Sequence, residues 1–194
     1  MIQYYNPDER QSLIRFTNSL RGLLEKHYSA GQDIVLVCIG SDRATGDCLG
    51  PIVGHKLKSY ERFLKKISFH LYGTLEKPIH AKNLEATIQF IQLYHPDSLI
   101  IAVDASLGVM EHVGYITLSE GSLTPGVGVD KNLPAIGDIC ITGIVNLSGF
   151  GGQMLLQTTH LHLVMQLADF IASGLYRSLS TRSSQLRPAL QRAE

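Results

Sequence analysis

Residues 98–106 read SLIIAVDAS, an apolar run that ends close to a single carboxylate, Asp104. A short, continuous apolar run of this kind is typical of a strand that is buried on both faces of a parallel sheet. A carboxylate at the end of such a strand is costly to bury unless it is paired or functional. The run therefore predicts a central strand, and Asp104 is the first candidate for a functional residue.

Strands and helices alternate on both sides of this run. Further strands are predicted at 33–40, 67–73, 113–121 (near an edge) and 138–146. Helices are predicted to begin near Pro7, Pro51 and Asn83, and a long last helix is predicted over roughly 153–178. Alternation of this type is typical of parallel βαβ units. The predicted fold class is α/β, a three-layer α/β/α sandwich with a mostly parallel sheet. We expect one domain over 1–180 and a C-terminal tail, 181–194, whose weak pattern makes it a candidate for disorder.

The composition excludes several classes of protein. The chain has 194 residues, of which 44% are hydrophobic and 18% charged, which suits a folded domain rather than a disordered chain. Lys+Arg and Asp+Glu are both 17, so the basic excess of a duplex-binding protein is absent and direct nucleic-acid binding is not expected. Zero net charge gives little repulsion between copies, which is compatible with a homo-oligomer.

The sequence also bears on location and on cysteine chemistry. No apolar run is long enough for a membrane span, and the N-terminus lacks a signal-peptide core, so we expect no membrane association and a cytoplasmic protein. The three cysteines are widely spaced and form no CxxC pair. This spacing argues against a disulfide framework and against a cysteine-based zinc site.

A second aspartate is predicted to join Asp104. Asp47 lies in the Gly-rich loop GSDRATGDCLGP, 40–51, directly after the predicted strand 33–40. Taken alone, Asp47 would be interpreted as a helix cap. However, ligands in parallel sheets bind beyond the carboxyl ends of the strands, where both aspartates are placed. Two carboxylates in a cleft cannot both ionise cheaply, so the pair would supply an acid and a base to activate water against an amide.

Other loops at this edge supply candidates for substrate contact. His80 follows the strand 67–73, and the loop 124–134, TPGVGVDKNLP, is longer than a connection requires. Glycines allow a peptide backbone to approach closely, although both features are also compatible with a plain surface loop. The predicted substrate-binding residues are Gly46, Gly50, His80, Ser106, Pro125, Gly126 and Gly128. No cofactor is required by the pattern, but Asp47, Asp104 and His80 could bind a divalent metal.

Nucleotide binding is not expected at the loop 40–51. The loop contains neither the GxxxxGK[ST] pattern of a phosphate loop nor the GxGxxG pattern of a dinucleotide-binding turn.

Five ordered segments resemble the YyaC family of spore proteins from spore-forming bacteria. They are VCIGSDRATGDCLGP, YGTLEKPIHAKNLEATI, IAVDASLG, LTPGVGVDKNLPAIGD and ITGIVN. The resemblance covers roughly residues 33–178. That family is similar to the spore germination protease and, more distantly, to the hydrogenase maturation proteases. The resemblance therefore implies a phosphorylase/hydrolase-like α/β fold.

The resemblance also implies a function. Asp47 in GDCLGP and Asp104 in AVDAS match the two essential aspartates of the germination protease, an unusual aspartic-type peptidase that degrades small acid-soluble spore proteins. A sporulation-associated peptidase of the forespore or spore interior, acting on such a protein or peptide, is thus expected. One alternative is a non-catalytic spore protein that binds a partner through the same cleft. Another is a maturation-type peptidase that binds nickel through Asp47, Asp104 and a histidine such as His80 or His112.

Overall fold

The computed structural model describes residues 1–64, 67–126, 133–149 and 151–185. The strands are β1 (Gln3–Tyr5), β2 (Ile34–Cys38), β3 (Phe69–Tyr72), β4 (Leu99–Gly108), β5 (Ile116–Glu120) and β6 (Ile139–Leu147). The helices are α1 (Ser12–His27), α2 (Leu49–Lys58), α3 (Glu61–Leu64), α4 (Leu84–Tyr94), α5 (Gly152–Gln157) and α6 (Leu161–Gln185). Short 3₁₀ turns lie at Gly46–Cys48 and Met110–His112.

The strands form one six-stranded mixed sheet in the order β1-β5-β6-β4-β2-β3. Strands β6, β4, β2 and β3 are parallel neighbours, whereas β5 is antiparallel both to β6 and to β1. This confirms the predicted, mostly parallel sheet. The edge strand β1 was not predicted, because three residues are too few to show a periodic pattern.

Helices cover both faces of the sheet, as predicted. All five residues of β2 are buried. Leu36 packs in one core cluster with Phe16 of α1 and Leu167 of α6. Val35 belongs to a second cluster on the other face, with Leu84 of α4. Because successive side chains of a strand point to opposite faces, a continuous apolar run is what a strand with two covered faces requires.

The first helix begins later than predicted. The side-chain oxygen of Asn6 accepts a hydrogen bond from the Asp8 amide (3.0 Å), and its carbonyl accepts one from the Glu9 amide (3.2 Å). Asn6 therefore closes a local turn instead of capping a helix that starts near Pro7. Helix α1 starts at Ser12.

The long helix predicted at 153–178 is two helices, α5 and α6. The hydroxyls of Thr158 and Thr159 both donate to the carbonyl of Leu155, at 3.3 Å and 2.8 Å. These side-chain bonds compete with the backbone ladder and accompany the end of α5. Helix α6 continues into the predicted tail as far as Gln185. No helix within the described ranges is both long and apolar enough to cross a membrane.

Candidate active site

A crevice opens where β2 ends beside β4. The last residue of β2, Cys38, pairs with Val103, and the next amide, Ile39, donates to the Val103 carbonyl at 2.7 Å. Asp104 is thus the first residue of β4 beyond its pairing with β2. The chain passes from β2 to β3 on one side and returns to β4 on the other, so strand order reverses here. Ligands in α/β sheets bind at such switch points.

A cavity of about 320 Å³ occupies this crevice. Its walls come from the segment after β2, the segment after β3, β4, residues 125, 126 and 133, and α5. The lining residues are Ile39, Gly40, Ser41, Arg43, Ala44, Asp47, His80, Ala81, Lys82, Asp104, Pro125, Gly126, Leu133, Gln153, Leu156 and Gln157. Both predicted catalytic residues therefore face one cavity, together with three of the predicted substrate-binding residues.

Asp47 is held by the start of its own loop. The Ser41 hydroxyl donates to Oδ2 of Asp47 (2.9 Å), and the Ser41 amide donates to the Asp47 carbonyl (3.1 Å). Gly40 makes this closure possible, since its φ is +137° and an added Cβ would lie 2.0 Å from the Asp47 carbonyl oxygen. Asp47 is half-buried, with its carboxylate oriented by a fixed donor.

Asp104 is the buried member of the pair. Its side chain belongs to a residue that is 7% exposed, and Oδ1 accepts a hydrogen bond from the Ala105 amide at 2.8 Å. Burial raises the pKa of Asp104 well above its ordinary value, and the negative charge of Asp47 raises it further, while the Ala105 hydrogen bond opposes both. Asp104 consequently favours the protonated form beside the Asp47 carboxylate.

The backbone of His80 is held at the cavity wall by hydrogen bonds to the start of α4. The His80 amide donates to Oδ1 of Asn83 (2.8 Å), and its carbonyl accepts from the Asn83 and Leu84 amides at the start of α4. Within the described part of the chain, the buried Nδ1 of His80 has no hydrogen-bond partner. His80 therefore lines the cavity with one ring nitrogen that is both buried and, among the described residues, unpaired.

The remaining predicted substrate contacts divide into two groups. Pro125 and Gly126 line the cavity. Gly46, Gly50 and Ser106 do not; an added Cβ would lie 2.9 Å from Leu156 and Thr159 side-chain atoms at Gly46, and 2.1 Å from the Ile39 carbonyl oxygen at Gly50. Ser106 instead donates to Thr142 Oγ1 (3.2 Å). These three residues serve packing around the site. Gly128 lies outside the described residues.

Two cationic residues at the cavity were not predicted from the sequence. Arg43 and Lys82 are exposed residues that line the cavity from the loops after β2 and β3. We call Arg43 and Lys82 the cationic rim. Isolated charged residues in loops carry no periodic signal, so only their position beside the two aspartates distinguishes them.

Cys48, next to Asp47, is poorly suited to be a nucleophile. Burial raises the pKa of the Cys48 thiol, and the nearby charges of Asp42 and Asp47 raise it further. A thiol with a raised pKa carries little thiolate, which is the reactive form.

The cavity residues do not fit the metal site that the resemblance implies. Asp47, Asp104 and His80 share the cavity, but across the described ranges they do not bring three ligand atoms within 4.8 Å of one another, as another cluster does. A three-ligand metal centre needs its donors about 2 Å from one ion. We therefore derive no step of a reaction through a metal at this position.

Replacing Asp104 with asparagine should stabilise the protein at neutral pH. The pKa of Asp104 is raised in the folded state above its ordinary value of 3.8, so stability is lost as pH rises from about 4 through the folded-state pKa. Asparagine carries no charge and can still accept the Ala105 hydrogen bond. Each pKa unit corresponds to about 1.4 kcal/mol, and each kcal/mol to roughly 2–4 °C in Tm for a chain of this size.

Thermal unfolding at about pH 4 and pH 8 checks this expectation. The stabilisation by Asp104→Asn should be larger at the higher pH. Asp42→Asn is the matched control, because Asp42 is exposed in the same loop and its replacement should change stability by less than about 0.5 kcal/mol at either pH. If the wild-type protein is more stable than Asp104→Asn at the higher pH, the buried, proton-holding role of Asp104 is contradicted.

Comparison with known proteins agrees with this architecture. Residues 4–174 match the family described as "Protein of unknown function (DUF1256)". The chain is 44% identical to "Uncharacterized protein YyaC" of Bacillus subtilis (strain 168) over 192 residues, which is 98% of this chain and 90% of that protein. Its fold is similar to that of the [NiFe] hydrogenase maturation protease HycI from Thermococcus kodakarensis KOD1, with a TM-score of 0.51, 19% identity, and coverage of 82% of this chain and 99% of the protease.

Proposed function

From the premise that the chain belongs to the DUF1256 family, we propose that it is a peptidase in which Asp47 is the base and Asp104 the acid. One observation carries this proposal: a buried aspartate whose pKa is raised lies beside a second, more exposed aspartate in the wall of a single cavity. Two carboxylates in environments that separate their proton affinities are the arrangement that acid/base catalysis requires.

The proposed reaction uses one water molecule between the two carboxyl groups. Asp47, held by the Ser41 hydroxyl, takes a proton from the water as its oxygen attacks the peptide carbonyl carbon. Asp104 donates its proton to the carbonyl oxygen, which gives a neutral tetrahedral intermediate. When the C–N bond breaks, the proton held by Asp47 passes to the leaving amine, and the intermediate's hydroxyl returns its proton to Asp104. Both aspartates end in their starting states.

The fold similarity supports this proposal only as architecture, since HycI is 19% identical to this chain. The sequence resemblance adds the expectation of a sporulation-associated peptidase, for which the small acid-soluble spore proteins are the first substrates to test. The cationic rim independently favours substrates that carry acidic side chains. Positive charge at the mouth of a cleft raises the local concentration of an acidic chain.

The test is incubation of the purified, untagged protein with small acid-soluble spore proteins, followed by mass spectrometry of the products. The proposal predicts defined cleavage products from the wild-type protein and their loss in Asp47→Asn and Asp104→Asn. If the folded wild-type protein binds these substrates without cleaving them, and the Asn variants bind them more weakly, the cavity is a binding site and the peptidase proposal fails.

The cationic rim gives a separate prediction about affinity. Exchanging Arg43 and Lys82 together for serine should raise KM for an acidic peptide by roughly 3- to 10-fold and leave kcat nearly unchanged, because rim charges act mainly on encounter. The difference from wild type should fade in high salt, as exposed charges are screened. A neutral peptide with the same cleaved bond is the control. An equal change in KM for both peptides would contradict electrostatic selection.

A further inference from the structure

A second cluster of chemically active side chains lies at the end of the sheet opposite the cavity. Asp33 directly precedes β2, His70 lies in β3, and His95 follows the last residue of α4. Their ligand atoms all lie within 4.8 Å of one another. Six strand positions at about 3.3 Å each place Asp33 roughly 20 Å from Ile39 in the cavity wall. We call Asp33, His70 and His95 the amino-end cluster.

The sheet register brings the cluster together. Strands β2 and β3 are parallel, with Ile34 opposite Phe69 and Val35 opposite His70. Asp33, the residue before β2, therefore lies next to β3, the strand that carries His70. The two histidine rings lie 4.0 Å apart between centroids, at an interplanar angle of 41°. Oδ2 of Asp33 is 2.9 Å from His95 Nδ1 and 3.4 Å from His70 Nε2.

We propose that the amino-end cluster binds one divalent transition-metal ion of the zinc class. Two imidazoles and one carboxylate form a donor set that suits zinc and its neighbours, whereas magnesium and calcium prefer all-oxygen sites. Ligand atoms about 2.0–2.1 Å from a tetrahedral ion lie roughly 3.3 Å from one another. The two distances at Asp33, 2.9 Å and 3.4 Å, bracket that value, so only a small rearrangement admits the ion.

A neighbouring tyrosine orients one of the proposed ligands. The Tyr72 hydroxyl lies 2.7 Å from His95 Nε2, on the opposite side of the ring from Asp33. With the ion bound, Nε2–H would donate to the Tyr72 oxygen, and Nδ1 would give up its hydrogen bond to Asp33 and turn its lone pair to the ion. Metal-binding histidines are commonly held in this way by a partner on the second ring nitrogen. The ring of His95 is therefore fixed with the ligating atom toward the cluster.

The site is closed on one side and open on the other. The His95 side chain is 10% exposed, whereas those of His70 and Asp33 are 37% and 29% exposed. Three protein ligands with an open face leave the fourth position of a tetrahedral ion for water or another ligand. A bound ion would join the start of β2, β3 and the end of α4, which belong to separate parts of the chain. It would stabilise the folded state by mass action.

Calorimetric titration of the metal-free, untagged, full-length protein with Zn²⁺ tests this proposal, with Co²⁺ absorption as a second readout. One ion per chain is expected, with the spectrum of a four- or five-coordinate cobalt site. His70→Asn should weaken Zn²⁺ binding at least 10-fold, and Tyr72→Phe by about 10- to 100-fold because it removes the partner of a ligand. His162→Asn, which changes an exposed histidine of α6, is the matched control and should bind as wild type does.

Thermal unfolding distinguishes a built site from loose surface binding. Zn²⁺ at a concentration that saturates the wild-type protein should raise the Tm of wild type and of His162→Asn by equal amounts, and that of His70→Asn by less. The half-exposed position of His70 makes a folding defect in that variant unexpected, and circular dichroism verifies this. The proposal is overturned if the wild-type protein shows no saturable binding, or if His70→Asn binds Zn²⁺ as tightly as His162→Asn.

Discussion

Asp104→Asn and Asp47→Asn should each reduce the rate of peptide cleavage by about 10²- to 10⁴-fold, the range that one acid or base group supplies. The Asp104 variant loses the proton donor to the carbonyl oxygen, and the Asp47 variant loses the acceptor for the proton of water. Both keep the side-chain volume and the carbonyl oxygen that accepts the Ala105 or Ser41 hydrogen bond. The measurement is kcat on a defined peptide from the cleaved substrate.

The controls separate a catalytic role from a structural one. Asp42→Asn alters an exposed carboxyl group in the same loop that does not line the cavity, and should retain kcat within about 2-fold. Asp104→Asn should lose activity while it gains stability, a combination that a damaged fold cannot produce. Because the two aspartates act on one water molecule, the double variant should be little slower than either single one. Additive losses would argue for independent roles.

Gly40→Ala should destabilise the protein more than any other single exchange discussed above, by about 3 kcal/mol or more. Gly40 has a φ of +137°, which side chains rarely adopt, and the added Cβ would lie 2.0 Å from the Asp47 carbonyl oxygen. The clash is with backbone, so no rotamer change relieves it. The loop would move, and the Ser41–Asp47 closure would open with it. Urea unfolding measures the loss, and the cleavage rate of the folded fraction should fall as well.

Gly22→Ala is the matched control for that experiment. Gly22 lies within α1, has ordinary helical geometry, and an added Cβ would meet no atom within 4 Å. Alanine there should stabilise the protein by about 0.5–1 kcal/mol, since glycine lowers helix stability. The same exchange of glycine for alanine is thus expected to lower stability at position 40 and to raise it at position 22. A Gly40→Ala variant as stable as wild type would show that the loop is not held as described.

The match to YyaC and the fold similarity to HycI bear on these experiments in different ways. The first covers 98% of the chain at 44% identity, so the same cleavage assay can be applied to YyaC. The second shows that the fold of this chain is similar to that of a protease, HycI, with a TM-score of 0.51. Neither comparison assigns the catalytic roles, which rest on the cavity and on the two carboxylates within it.

Local pattern was sufficient to predict the central strands and the position of Asp104. Runs such as 34–39 and 99–103 are apolar throughout, because a strand covered on both faces has no polar side. Asp104 stands out for the same reason, as a carboxylate at the end of such a run. Asp47 was placed near it by the rule that ligands bind beyond the carboxyl ends of parallel strands and by the family resemblance, and the structure shows both residues at one cavity.

Errors in the sequence-based prediction arose where side chains bond to nearby backbone. Asn6 closes a turn before α1, and the hydroxyls of Thr158 and Thr159 accompany the end of α5. Between α5 and α6 the hydrophobic periodicity continues past the break, because Leu156 before it and Leu163 and Leu167 after it all pack in or against the core. Periodicity reports which face is covered, and it does not report the hydrogen bonds that end a helix.

The sequence by itself determined the α/β class, the main strands and the identity of the two aspartates, since each is encoded by residues close together in the chain. Only the tertiary structure decided the other walls of the cavity, the packing roles of Gly46, Gly50 and Ser106, and the convergence of Asp33, His70 and His95. Those three ligands are brought together by the β2–β3 register and by the position where α4 ends. Register and helix placement depend on packing across the whole core, so no local pattern of residues reveals them.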